Sequence, residues 1–208
     1  MADSLSISSN ALVRLGASPI SSFSENELAQ RVNIIYDNTK ENILSLFDWR
    51  FTVEKAQLAQ STTTPLTRWD YMYPLPSDRI SDSVVAVYND DDTSSVMTSG
   101  FEILSNNLMT NQSVIYIDYQ TTKNESAWPA YFVELMIYAI AAEAAYMVTN
   151  SMSVSQEFRQ IAYGTPSERG RGGLMGQAMT RNSQGAPNYK LSNFRLYNAR
   201  FGSTGYFR

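Results

Sequence analysis

The stretch YFVELMIYAIAAEAAYMV, residues 131–148, decides how the rest of the chain is read. It is apolar nearly all round, and about 20 apolar residues are enough for a helix to cross a bilayer. Two acids argue against that reading. Glu134 and Glu143 stand nine positions apart, so on a helix they project from opposite sides, and a lipid-facing helix would carry a charge on both. The stretch therefore predicts the central helix of a bundle, surrounded by other helices. It opens near Ser126, with Pro129 suited to the first turn.

A central helix needs neighbours, and the N-terminal part of the chain supplies them. The spacing predicts a first helix over about 4–15, capped by Asp3 or Ser4, with Leu5, Ala11, Leu12 and Leu15 on one side and Gly16 as a left-handed stop. A second helix is predicted to begin at a capping box formed by Ser24 and Glu27, with Phe23 and Leu28 as a hydrophobic staple. Its apolar positions are Leu28, Val32, Ile35, Tyr36, Ile43, Leu46 and Phe47, and it should reach about Asp48. After the central helix, a fourth is predicted from Ser153 or Ser155 through Phe158, Ile161 and Ala162, until Gly164 and Pro166 interrupt it.

Between the two helical halves the period of 3.6 disappears. Three prolines break STTTPLTRWDYMYPLPSDRI (61–80), and the short runs SVVAVY, GFEIL and SVIYIDY have β character, with NDDDTSS and NNLMTNQ between them. The expected fold is α+β: a bundle of about four helices with a small antiparallel β subdomain inserted, followed by an extended C-terminal arm. The boundaries are helices one and two over 1–50, the β-rich insert over 51–122, helices three and four over 123–165, and a flexible basic, aromatic arm over 166–208.

Composition limits the chemistry. The chain has no cysteine and no histidine, which removes the thiolate, the commonest general base and the commonest metal ligand. There is no Gly-Lys pair for a phosphate loop, and Met175 stands where a dinucleotide fingerprint in ERGRGGLMG (168–176) needs its third glycine; that stretch is expected to be a flexible connector. Asp90, Asp91 and Asp92 lack the alternation of a calcium loop and are expected to form a solvated turn. The dense aromatics around Trp49 and Trp69 are expected to pack the sheet against helices. The expectation is no enzyme, no cofactor and no metal. The start of the chain lacks a basic region followed by an apolar run, so no secretory signal is predicted.

Charge divides the chain unevenly. Residues 1–158 hold eight Lys/Arg and nineteen Asp/Glu, whereas residues 159–208 hold eight Lys/Arg and one Glu. The end of the chain, YKLSNFRLYNARFGSTGYFR (189–208), sets Lys190, Arg195, Arg200 and Arg208 among six aromatics and contains no acid. Two readings follow. The strip could bind nucleic acid by phosphate contacts and base stacking. It could equally be a docking arm, its cations meeting an acidic protein surface while Phe194, Tyr197, Phe201, Tyr206 and Phe207 act as anchors.

Three stretches together carry a resemblance: NALVRLGASPISSFSE (10–25), FDWRFTVEKAQLA (47–59) and RWDYMYPLPSDRI (68–80). They resemble the tail tubular protein A family, the head-to-tail adaptors of short-tailed bacteriophages. The matching positions are Leu15 and Gly16 closing the first helix; Trp49 and Phe51 in the turn after the long helix; Ala56, Leu58 and Ala59 in a strand; and Trp69, Tyr71, Tyr73, Leu75, Pro76 and Asp78 in the segment beyond. GFEILSNNLMTN (100–111) is similar to the family's glycine-containing hairpin, and the resemblance covers about residues 4–160. It implies a structural virion protein at the head-tail junction: a commonly dodecameric ring of self-associated copies, bound to the portal protein above and the tail nozzle protein below. DNA would pass through the lumen without specific binding, and no membrane would be involved. The chain departs from the family after Tyr163, where members often continue a long charged helix.

Overall fold

The computed structural model describes residues 2–63, 65, 68–80, 84–90 and 96–185. Among them are five α-helices and two three-stranded antiparallel sheets, so the α+β class is as expected. The helices are α1 (Ser4–Arg14), α2 (Glu27–Ser45), α3 (Ala130–Thr149), α4 (Met152–Tyr163) and α5 (Gly173–Gln184). The strands, β1 (Val53–Gln57), β2 (Tyr71–Pro74), β3 (Ala86–Tyr88), β4 (Phe101–Leu104), β5 (Asn107–Thr110) and β6 (Tyr116–Gln120), all lie between α2 and α3.

Local signals explain most helix ends. Asp3 caps α1 by accepting the Ser6 N–H at 2.6 Å, while the Ser6 hydroxyl accepts the Asp3 N–H. Gly16, at φ +80°, ends it with paired bonds from Gly16 N–H to Val13 and from Ala17 N–H to Leu12, the Schellman pattern. The start of α2 differs from expectation. Residues 21–25 close on themselves, with Glu25 accepting the Ser21 N–H and hydroxyl, so Asn26 becomes the cap and accepts the Ala29 N–H at 2.8 Å. Glu27 is then the first helical residue rather than the partner of Ser24, and it pairs with Arg31 one turn on. Phe23 and Leu28 still pack against the core. The helix also stops at Ser45, short of Asp48, because the Trp49 indole N–H turns back onto the Ile43 carbonyl at 2.9 Å and satisfies an end the helix leaves open.

Helix α3 runs through the middle. It packs on α1, α2, α4 and α5, and ten of its residues from Phe132 to Ala145 are buried. By length and composition it could cross a bilayer, but packing on four helices already accounts for its apolar faces. Its two acids turn outward in opposite directions as expected: Arg14 of α1 holds Glu134 at 2.9 Å, and Arg159 of α4 lies 3.7 Å from Glu143. At its N-terminal end Phe132 meets Trp49, Phe51 and Trp128 edge-on with ring centres 4.8–4.9 Å apart.

The β region contains more strands than the three expected runs. Sheet order is β1-β6-β3 and β2-β5-β4, with β6 and β5 central. The stretch NNLMTNQ, expected as a connector, contributes β5, which hairpins with β4 through Ser105 and Asn106, both at positive φ. Pro74 is tolerated in β2 because that strand is an edge and its missing N–H can face away from the ladder. The two sheets share a second core of Leu58, Tyr73, Leu75, Val87, Leu108, Ile115, Ile117 and Tyr119.

Hydrogen bonds join the two cores at the 47–52 crossing. Gln120 of β6 donates to the Phe47 carbonyl and the Thr52 hydroxyl, and Thr121 N–H donates to the Thr52 carbonyl. A second tie is ionic: Glu125, just before α3, accepts from Tyr36 at 2.8 Å and Lys40 at 2.7 Å on α2. Burial pushes the Glu125 carboxyl up, but the Lys40 ammonium, its own backbone and the Tyr36 hydroxyl outweigh that, leaving it below the ordinary 4.5. A carboxyl depressed on folding adds stability above its ordinary value and loses it as pH falls through the folded value. Glu125→Gln should therefore cost about 1–2 kcal/mol at neutral pH, with the penalty shrinking below pH 4.5. Urea denaturation across pH checks this; a penalty that stays constant into acid would show that the charge is not what matters.

Candidate functional site

The residues that carry the family resemblance all serve the fold. Leu15 packs against the helical core beside Gly16. Trp49 is fully buried and Phe51 joins its ring cluster. The Trp69 indole donates to Glu102 at 2.9 Å, Tyr71 packs on the sheet core, and the buried Tyr73 donates its hydroxyl to the Gln112 carbonyl at 2.8 Å. The Pro76 carbonyl accepts from Arg79, and Asp78 accepts from Tyr119 and Thr121. None of these forms a convergent polar pocket, and no group of three His, Cys, Asp or Glu able to hold a metal ion occurs among the described residues.

The arm needs correcting at its start. Residues 166–185 are not a flexible connector: they form a tight reversal and then α5. Glu168 closes the reversal, its carboxylate accepting the Thr165 N–H at 2.7 Å and hydroxyl at 2.8 Å, bonds that hold its carboxyl below the usual range. Gly172 N–H donates to the Tyr163 carbonyl at 3.0 Å. Gly173, at φ +54°, sits so close to the Ile161 carbonyl that a Cβ there would overlap it. Helix α5 then packs on α4 and α3, burying Met175, Ala178 and Asn182. Asn182 reaches the crossing, donating to the Asp48 carbonyl at 3.2 Å and accepting the Arg50 N–H at 3.0 Å. Leu174, Met175, Ala178, Met179 and Asn182 recur at helical spacing, a signal masked by Gly173, Gly176 and a run of weak helix formers.

Two open features flank α2. One is a groove of about 1090 Å³ between the end of α2, α4 and the reversal, bordered by Arg159, Arg169, Arg171, Glu143 and Glu157. On its wall, burial together with the Glu143 carboxylate pushes the Tyr163 hydroxyl up to about 12, so it stays protonated near neutrality. The other is a groove of about 820 Å³ bordered by Asp37, Lys40, Glu41, Arg79 and Ile80. Asp37, Glu41 and Asp48 are exposed, and none forms an ion pair among the described residues. Sequence reasoning missed this strip, although α2 has no apolar residue at 37, 38, 41 or 42 and so had to turn that face to water.

The predicted docking residues Lys190, Phe194, Arg195, Tyr197, Arg200, Phe201, Tyr206, Phe207 and Arg208 lie outside the described residues, as do Asp91 and Asp92. Compared with known proteins, the chain matches no family model and no curated sequence.

The reversal yields a direct test. Gly173→Ala adds left-handed strain to an overlap with backbone and should cost about 2–5 kcal/mol. Gly170→Ala, also at positive φ but with open space around it, should cost only about 1–2 kcal/mol. Urea denaturation of both variants decides; equal costs would mean that the close approach at Gly173 does not hold α5 in place.

Proposed function

We propose that this chain is a structural virion protein, a head-to-tail adaptor that assembles as a dodecameric ring between the portal and the tail nozzle of a short-tailed bacteriophage. The observation that carries the reading is the ordered series of motifs, from Leu15-Gly16 through Trp49 and Phe51 to the segment Trp69–Asp78. The layout of helices interrupted by a β-rich insert agrees with it. So does the charge division: an acidic body around a lumen repels DNA phosphates and keeps a passing genome from sticking. Repeated heterologous contacts closing a ring turn modest interfaces into a stable assembly. The basic aromatic end of the chain serves as the arm that orders on the portal or an adjacent copy. A free chain stays monomeric until a template offsets the entropy of ordering that arm. In this reading the protein is not an enzyme and needs no cofactor.

The test is to mix the purified chain with the portal of the same virus and compare it with a chain ending at about residue 186. The full chain should form a ring on the portal visible by electron microscopy, and the truncated chain should bind at least tenfold more weakly. Equal binding by the truncated chain would remove the arm's role. Absence of any ring, with DNA affinity that falls steeply as salt rises, would favour the nucleic-acid reading instead.

A further inference from the structure

Helices α2 and α4 both pack on α3, but they leave a gap between them in which Glu143 of α3 is exposed. The groove of about 1090 Å³ occupies this gap, with Leu46 of α2 on one side, Gln160 of α4 on the other, and Met175 and Met179 of α5 beside the reversal. A smaller pocket shares Asn42, Glu143 and Tyr163 with it and continues it along α2 to Ile35. From Ile35 to Leu46 a helix rises about 16 Å, or three turns.

The charge of this groove differs from that of the body around it. Residues 1–158 are strongly acidic, whereas 159–185 hold four arginines and one acid, Glu168, whose carboxylate is engaged by Thr165. Three of those arginines border the groove. Arg159 faces Glu143 at 3.7 Å, but Arg169 and Arg171 form no ion pair among the described residues. That leaves two exposed guanidinium groups set against Glu157. Arg169 also stands at φ +52°, a left-handed position that glycine or asparagine would occupy more easily. The turn therefore has no need of an arginine there.

The lining selects an occupant. Paired guanidinium groups favour carboxylates, which they can bind through two parallel hydrogen bonds. Leu46, 53% exposed, and the half-buried Met179 offer an aliphatic seat, the methionine adaptable in shape. A nucleic acid fits less well, because Tyr163, the aromatic ring on this wall, is itself half-buried and Glu157 would oppose the phosphates. We propose that the groove between α2 and α4 docks an acidic amphipathic helix of a partner protein, with carboxylates on Arg169 and Arg171 and aliphatic side chains on Leu46 and Met179. This docking does not rest on the adaptor reading.

The test uses the full chain and a fluorescein-labelled synthetic peptide of about 12 residues, three turns of helix, with leucines at i, i+4 and i+7 and glutamates between. Fluorescence anisotropy should show saturable binding. Arg169→Glu with Arg171→Glu, and separately Leu46→Asp, should each weaken it by about tenfold or more. Arg169→Gly suits the left-handed backbone, so it keeps the turn while removing the charge and should also weaken binding. Arg181→Glu, on α5 but outside the groove lining, should leave affinity unchanged, as should replacing Lys190, Arg195, Arg200 and Arg208 by Glu. No binding, or binding indifferent to the groove variants, would overturn the proposal. Loss of binding only when the four cations beyond residue 185 are reversed would also overturn it, by assigning the peptide to that segment. So would equally tight binding of a leucine-free peptide or a single-stranded DNA of the same charge, which would make the groove a general anion surface.

Discussion

Ten buried residues spread around α3 leave only narrow exposed strips near Glu134, Glu143 and Tyr146, and that constraint organises the helical part of the molecule. A single partner helix would cover one stripe; α3 requires α1, α2, α4 and α5 around it. Its alanines at 139, 141, 142, 144 and 145 let those neighbours approach closely. The chain meets the requirement in two ways. Trp49 folds the end of α2 back toward Phe132, and the glycine-bearing reversal after Tyr163 brings α5 against α3 and α4. Asn182 and the Phe47–Thr52 crossing then tie the last helix to the first half, so closure of the bundle depends on residues 132 and 134 positions apart.

Much of this was legible in the sequence because it depends on local chemistry. Asp3 and Gly16 bound α1 through caps that act within a few residues. The opposed placement of Glu134 and Glu143 follows from helical geometry alone. Elements that depend on distant partners were not legible. Helix α5 is a poor helix former by propensity and exists because α3 and α4 bury one side of it. Strand β5 looks like a polar connector until β2 and β4 are seen to flank it. The cap of α2 moved from Ser24 to Asn26 because residues 21–25 satisfied one another first.

The functional reading inherits that division. The residues of the family resemblance are packing and turn residues, and they explain why the body folds rather than what it touches. Candidate contact chemistry lies elsewhere: in the acidic outer face of α2, in the arginine-bordered groove beside the reversal, and in the basic aromatic residues past 185. Docking of α5 extends the packed body by some twenty residues beyond the expected boundary at 165. The described body runs past Gly164 to Gly185, which lies beside the Arg50 side chain.

Native-state hydrogen exchange of the full chain tests this most directly. If α5 completes the burial of α3, amides from Met175 to Asn182 should be protected and should open together with those of α3 as denaturant is raised. Exchange of the α5 amides at the rate of an unstructured chain, with α3 still protected, would contradict the account.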